Sequence, residues 1–299
     1  MLLDESLRLL AGCKRVLDGT AGGGGHAARL AEQGADVLAL DKDPDAVAAT
    51  IERAGSLPVR VLQLDFSDAA ANAEVRAFNP DGVLLDLGLS SPQIDDESRG
   101  FTFRQGAPLD MRMTGNRESN KYQTAADWLN NAPRDELEQV FRNYGDEKRS
   151  QRLAGEVDRR RGNRPFVISD DLVGAIRAVH GPASGPPDFA RLFQAVRIVV
   201  NGELERLERA LPDLLELLEP GGVMAVISYH SGEDRIVKHL LREWARRCVC
   251  PPEQPVCTCR GRALGELLTR KSIEPTPEEL IRNPRARSAR LRGFRKAAV

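Results

Sequence analysis

Along the first hundred positions, apolar residues recur in two alternating rhythms. RVLDGT at 15–20, DVLALDKD at 36–43, VRVLQLDFSD at 59–68 and DGVLLDLGLSS at 81–91 are short runs rich in Val and Leu. Each breaks off at an aspartate, Asp18, Asp41, Asp65 and Asp86 in turn. Runs apolar on both faces predict strands covered by helices on either side, as in a parallel α/β sheet. Helical spacing fills the intervals, from His26 to about Gly34 and again from Asp43-Pro44 through AVAATIERAG to Gly55. Proline at the first helical position behind an aspartate cap marks the start of the second of these helices.

The alternation then stops. From about Phe103 to Arg197 the chain is charged and helical in period, interrupted by the loop GPASGPPD at 181–188. It resumes with an amphipathic helix, GELERLERALPDLLELLEPGG (202–222), a strand, VMAVISYH (223–230), and a helix, GEDRIVKHLLREWARR. In the tail NPRARSARLRGFRK, basic and small or apolar residues alternate from Ala286 to Arg292, a period of two that predicts a final strand. The pattern thus predicts one doubly wound, mostly parallel sheet built from 1–103 and 198–299, with a mainly helical insert at 104–197.

Composition narrows the class. With 299 residues, 41% hydrophobic and 29% charged, the chain is globular. It contains no apolar run near the roughly 20 residues that span a bilayer, so no membrane association is expected. MLLDESLRLL lacks the pattern of a secretory signal, and the five cysteines are expected to stay reduced in a cytoplasm. The net charge of −1 conceals an asymmetry. Residues 1–98 hold 17 acids and 8 bases, residues 99–299 hold 27 acids and 35 bases, and the segment from Arg282 onward has seven bases and no acid. An acidic first third beside a basic remainder suggests a polyanionic partner, although a solvated surface of uneven charge has the same composition.

The loop LDGTAGGGGH (17–26) joins the first strand to the first helix of the alternation. Its glycines let the backbone approach a ligand, and the helix N-terminus offers free N–H groups. Gly22, Gly24 and Ala27 fit the dinucleotide pattern loosely, so a nicotinamide cofactor is one reading and a plain turn another. Asp18 argues against a pyrophosphate, because it places a negative charge where the phosphates would sit. A ligand with cationic centres suits that position better, and S-adenosylmethionine (SAM) carries a sulfonium and an ammonium but no phosphate. Asp41 lies where a carboxylate accepts both ribose hydroxyls. Asp65-Phe66 offers an apolar face and a polar edge to an adenine. Four aspartates at strand ends would line the carboxyl edge of the sheet, where open α/β sheets bind ligands.

Longer motifs carry a resemblance. LLDESL, DGTAGGGGH, LALDKDPDA, DGVLLDLGLSSPQIDDESRGFTF, PLDMRM, FQAVRIVVNGELERLE, ISYHSGEDRIVK and NPRARSARLR run almost end to end. Through them the chain resembles the RsmH/MraW family. That resemblance implies a class I, Rossmann-like SAM-dependent methyltransferase acting on N4 of a cytidine in the decoding region of 16S ribosomal RNA. It implies that Gly24, Gly25 and His26 contact the cofactor, that Asp41 holds the ribose and that Phe66 lies beside the adenine. It places Asp86 and Gln93 around SAM and the entrance for the base. This sequence departs from the family's usual pattern in three places. The customary His-x-Pro-Val-Leu opening is absent before Leu2-Leu3-Asp4-Glu5, PPDFARLFQAVR keeps only Arg191 of the usual polar residues, and Gly232 stands where leucine is common.

Ser90-Ser91-Pro92-Gln93 follows the fourth strand, where unrelated amino-methyltransferases carry a polar residue and prolines. Proline biases the residue before it toward extended backbone, so the Ser90 and Ser91 oxygens and the Ser91 carbonyl are expected to accept the amine hydrogens, with Asp86 setting the electrostatics. A helix-capping turn is the competing reading. Arg285, Arg287 and Arg290 on the final strand are expected to meet RNA phosphates, as are arginines of the insert between 142 and 164. Cys248-Val-Cys250 and Cys257-Thr-Cys259 bring four thiols within twelve residues, a candidate zinc site or a reduced packed loop. His230 follows the fifth strand and faces either the substrate or the strand-end packing. Two other classes compete with the methyltransferase: a nicotinamide oxidoreductase, and a non-catalytic or differently targeted RNA-binding protein on the same fold. A homodimer is compatible with the sequence.

Overall fold

The computed structural model describes residues 1–114, 123–251, 253–254 and 256–298, leaving aside the Ser91 side chain. In chain order, α1 (Leu3–Leu9), β1 (Arg15–Asp18), α2 (Gly25–Glu32), β2 (Asp36–Asp41), α3 (Pro44–Ala54), β3 (Val59–Gln63), α4 (Ala73–Phe78) and β4 (Gly82–Asp86) form the alternating part. Helices alone follow: α5 (Ser91–Asp95), α6 (Ala125–Asn131), α7 (Arg134–Asn143), α8 (Ser150–Arg161), α9 (Ser169–His180) and α10 (Pro186–Asn201). The strands return with α11 (Glu203–Leu217), β5 (Val223–Ser228), α12 (Ser231–Trp244), β6 (Gly265–Leu267), α13 (Pro277–Arg282) and β7 (Arg290–Lys296).

The sheet has the order β3-β2-β1-β4-β5-β7-β6. Neighbours from β3 to β5 are parallel, while β7 runs antiparallel between β5 and β6. Successive side chains of a strand point to opposite faces, and the core divides accordingly. Leu17, Leu38, Leu40, Val83 and Leu85 pack with α4, α11 and α12. Val16, Val37, Ala39 and Leu84 pack on the other face with α1 and α2. Strand order reverses between β1 and β4, so the carboxyl ends of those two strands flank the crevice where such sheets bind ligands.

The chain separates into two compact units, 1–88 with 204–299, and 89–203. These boundaries lie outside the expected 104–197 on both sides. Phe101 and Phe103 pack into the helical core, Phe103 lying edge-on to Phe189 and Phe193, so the stretch from 89 to 103 goes with the helices. At the other end α10 runs unbroken to Asn201, and Arg197 holds Glu203 through two hydrogen bonds of 2.9 and 2.8 Å.

Inside the helical unit several of the basic residues expected to meet RNA have structural partners. Arg159 and Arg160 both donate to Glu156, Arg142 pairs with Glu138, and Arg149 donates to the Val179 carbonyl. Arg161 bonds Asp158 and the carbonyls of Leu129 and Ala132. Arg191, the residue retained from the family's polar motif, donates to Glu147 at 2.8 Å. Glu147 is 3% exposed, lies 2.9 Å from His180 Nε2 and accepts from the Arg149 amide. Burial alone would push its carboxyl up, but these donors hold it below the usual range.

The tail corrects a second expectation. Residues Pro284–Ser288 form a 310 turn, and the strand begins only at Arg290. Pro284 cannot donate to a ladder, and the preceding helix α13 leaves the chain turning rather than extended. Arg285 and Arg287 are therefore exposed on a turn instead of a strand. Exposed Arg290 is ion-paired to Glu274 at 3.0 Å. Arg292 is drawn inward by a bidentate pair with Asp234 at 2.7 and 3.0 Å. No helix among the described residues is long and apolar enough to cross a membrane.

Candidate active site

Asp18, Asp41 and Asp86 are the last residues of three adjacent parallel strands, β1, β2 and β4, on the carboxyl edge of the sheet. Asp65 does not join them. β3 ends at Gln63, and Asp65 instead caps a 310 turn, Phe66–Ala71, by accepting from the Ser67 amide at 2.9 Å. It also pairs with Lys42 at 3.6 Å and with Arg206. Burial opposes its ionisation, but Lys42, the Ser67 amide and Arg206 outweigh that and hold the carboxyl low. Asp65 is thereby neutralised by its own fold, so the acidic rim has three members.

The glycine loop is tied into this rim. Asp41 accepts from the amides of Gly22 (2.8 Å) and Asp43 (2.9 Å), and burial raises its carboxyl above the usual range. Thr50 donates to the Gly22 carbonyl at 3.1 Å and Arg53 to that of Gly23 at 2.5 Å, which fastens the loop to α3. Gly24, with φ +71°, caps α2; a Cβ there would lie 3.0 Å from the Thr50 backbone. Beside Gly23 and Gly25, in contrast, an added Cβ would meet nothing within 4 Å, which leaves the loop open on one side. Phe66 lies half-buried at the start of the 310 turn, and its Cβ would be 3.2 Å from a Cβ on Gly19. Glycine at position 19 is what lets the end of β1 come this close to Leu85 and Phe66.

Asp18 is fully buried. One carboxylate oxygen accepts from the Thr20 amide at 3.2 Å, and Oδ2 has no partner among the described residues. Burial, with some repulsion from Asp86 and Asp41, pushes its pKa up to about 7. An orphaned buried acceptor is costly and calls for a donor from outside the chain. An ammonium group fits it, and a pyrophosphate does not. The residues present therefore suit SAM, and the nicotinamide alternative loses its phosphate site.

Around Asp86 the structure gathers Tyr229 and Thr20, which sequence reasoning passed over, together with His26. Tyr229, just beyond β5, donates its hydroxyl to Asp86 Oδ1 at 2.6 Å, and the Asp86 amide donates to Thr20 Oγ1 at 2.6 Å. Burial and the nearby carboxylate push the Tyr229 phenol far up, so it stays a donor at every ordinary pH. His26, in the first turn of α2, puts Nδ1 at 3.6 Å from Asp86 Oδ2 and Nε2 at 3.1 Å from the Met1 carbonyl. Its pKa is lowered, because burial outweighs the pull of Asp86, and the ring is neutral near pH 7. His26 thus reaches Asp86. The tyrosine could have been flagged only by its position at a strand end, since a single aromatic there carries no periodic signal.

The serine turn corrects the expectation for Ser91. Ser90 is the extended residue (φ −71°, ψ 154°), and Ser91 begins α5. Proline in the first turn lacks only an amide that would have no partner there, so helix formation overrides the bias against helical backbone before proline. Ser90 and Gln93 form a reciprocal capping box: Ser90 Oγ accepts from the Gln93 amide at 3.4 Å, and the Ser90 amide donates to Gln93 Oε1 at 3.0 Å. The Ser90 carbonyl accepts from Ile94 at 3.2 Å. Gln93, expected near the cofactor and the base, is 7% exposed and donates Nε2 to the Met113 carbonyl at 3.3 Å. The Ser91 side chain lies outside the described residues. His230 is also a cap, its Nδ1 accepting from the Glu233 amide at 3.4 Å. Nε2 lies 3.2 Å from the Glu233 carboxylate but is too poorly aligned for a hydrogen bond, so strand-end packing describes His230 better than a substrate contact.

Comparison with known proteins adds independent findings. A family model described as the MraW methylase family matches residues 1–297. A protein of Gemmatimonas aurantiaca named ribosomal RNA small subunit methyltransferase H is 53% identical, over 99% of this chain and 94% of its own length. Proteins of the same name from Heliobacterium modesticaldum and Pelobacter propionicus are 44% and 43% identical. They align with 94% and 98% of this chain and with 91% and 96% of their own lengths.

Proposed function

The chain belongs to the MraW methylase family, and on that footing we propose that it methylates N4 of a cytidine in the decoding region of 16S ribosomal RNA, using SAM. The observation that carries the cofactor assignment is the buried Asp18 oxygen without a partner, beside a glycine loop and two further strand-end carboxylates at the reversal of strand order. The names of the relatives support a small-subunit ribosomal RNA substrate.

Bound SAM supplies an electrophilic methyl group on a sulfonium. Asp18 holds the ammonium through Oδ2, Asp41 accepts from the ribose hydroxyls with the lone pairs its backbone donors leave free, and Phe66 covers the adenine. The open side of the loop at Gly23 and Gly25 receives the ligand against backbone, with Gly24 holding the turn between them. The cytosine amine is a weak nucleophile because its lone pair is delocalised into the ring. Acceptors for its hydrogens draw the nitrogen toward sp³ geometry, and alignment contributes most of the acceleration. We assign the accepting atoms to the serine turn that follows β4, chiefly the Ser90 hydroxyl, with Asp86 opposing the positive charge that develops on nitrogen. The base must leave its stack to be reached. Arg285, Arg287 and Arg290, all exposed, meet phosphates on the way in.

Isothermal titration with SAM against NADH tests the cofactor: binding of SAM alone is expected, and binding of NADH alone would return the oxidoreductase reading. Ser90→Gly separates capping from chemistry, because glycine caps helices within a few tenths of a kcal/mol of serine. The variant should keep its melting temperature within about a degree and lose about tenfold in kcat. An unchanged kcat would reduce Ser90 to a cap.

A further inference from the structure

Between α12 and β6 the chain runs through residues 245–264 with no helix or strand among its described residues. Loops this long inside a compact domain are uncommon. Its neck is closed by one backbone bond, from the Leu264 amide to the Trp244 carbonyl at 2.8 Å, and by the Arg260 guanidinium, which donates to the carbonyls of Glu243 and Arg246. Beyond the neck none of the described residues is buried, and Val256 is 69% exposed. Apolar burial therefore cannot hold the loop in one conformation.

Its four cysteines nevertheless converge. Sγ–Sγ distances are 3.7 Å for Cys248–Cys257, 3.5 Å for Cys257–Cys259, 3.8 Å for Cys248–Cys259 and 3.9 Å for Cys250–Cys257. All four sulfurs lie within 4.8 Å of one another. A disulfide needs about 2.05 Å, so these are not bonded pairs. Four thiolates placed tetrahedrally at about 2.3 Å from a zinc ion are about 3.8 Å apart, which matches the observed separations. The Val249 amide donates to Cys259 Sγ at 3.4 Å, the kind of outer contact that orients a metal-bound thiolate. Arg246, Arg247, Arg260 and Arg262 stand against Glu253 alone in this segment, which suits the net negative charge of a tetrathiolate zinc centre.

We propose that Cys248, Cys250, Cys257 and Cys259 bind one Zn²⁺, releasing their thiol protons, and that the ion is the staple which holds loop 245–264 folded. The site shares no residue with the strand-end carboxylates and does not depend on the methyl-transfer reading. Full-length protein purified without added metal and dialysed against metal-free buffer should retain about one zinc per chain by elemental analysis. Cys13→Ser should keep it, and the double variant Cys257→Ser, Cys259→Ser should fall below about a tenth. Zinc below a tenth in the unaltered protein, zinc retained by the double variant, or iron in its place would each overturn the proposal. If the double variant does not fold, cobalt(II) exchange into the unaltered protein decides: strong visible thiolate–cobalt absorption is expected, and its absence refutes the site. For the staple, chelation should speed proteolytic cleavage within 245–264 by about tenfold or more, and an unchanged rate would refute it.

Discussion

Asp18→Asn is expected to stabilise the ligand-free protein at pH 8 by about 2 kcal/mol while weakening SAM binding by about 10- to 100-fold. Both effects come from one oxygen. The buried carboxyl titrates at about 7 in the folded chain, against 3.8 as its ordinary value. The folded state therefore holds on to a proton that the unfolded chain gives up. Stability contributed by the protonated form is complete below about pH 4 and is lost as pH rises through about 7. The full span corresponds to about 4 kcal/mol, each pKa unit being worth about 1.4. Asparagine removes the charge but leaves an amide hydrogen unsatisfied, which returns roughly 1–3 kcal/mol. Binding suffers because an N–H then faces the ammonium where a carboxylate oxygen stood, and a charge-assisted hydrogen bond is worth about 1.5–3 kcal/mol. Chemical denaturation at pH 5 and pH 8 should show the gap between variant and parent widening with pH. A gap independent of pH would mean that Asp18 is not ionised where it lies.

Asp86→Asn should lower kcat by about two orders of magnitude and Tyr229→Phe by about one, each with a smaller change in KM for SAM. In the proposed reaction positive charge would move from the sulfonium to the attacking nitrogen, and a carboxylate fixed near that nitrogen would stabilise the transition state more than the ground state. Removing one preorganised electrostatic partner typically costs about 10²–10³ in rate. Tyr229 acts through Asp86, whose oxygen it holds at 2.6 Å, so it is a positioning residue. His26 adds no positive charge beside Asp86, because burial keeps its ring neutral, and the cation facing that carboxylate is the Met1 ammonium, 3.8 Å from Oδ2. The two roles separate by pH profile. Loss of Tyr229 should lower kcat while leaving the profile's shape intact, and a profile shifted in Tyr229→Phe would show that the phenol itself exchanges a proton.

What could be read from the sequence is what local pattern controls. The strands from β1 to β5 announced themselves as apolar runs, and three of the four terminal aspartates ended strands as expected, because a buried strand tolerates a carboxylate only at its edge. Asp65 escaped the pattern because its partner Arg206 is 141 residues away on α11, a pairing that no local spacing reveals. β6 has three residues, too few for periodicity to show. The alternation at 284–288 imitated a strand, yet proline and the end of α13 turned the chain. At Ser91 the local bias was real, but the capping box formed with Ser90 and Gln93 won. The residues around Asp86 were the least legible. Tyr229 and Thr20 reach it from different strand ends, and only the order β1-β4-β5 brings those ends together.

Small-subunit particles from cells lacking this protein, incubated with the purified enzyme and methyl-labelled SAM, provide the decisive substrate. Digestion of their 16S RNA and mass spectrometry should find the label as N4-methylcytidine within a decoding-region fragment, and the Asp86→Asn protein should deposit about a hundredth as much at equal times. Label on another base or another atom, or no more label than with enzyme left out, would contradict the assignment.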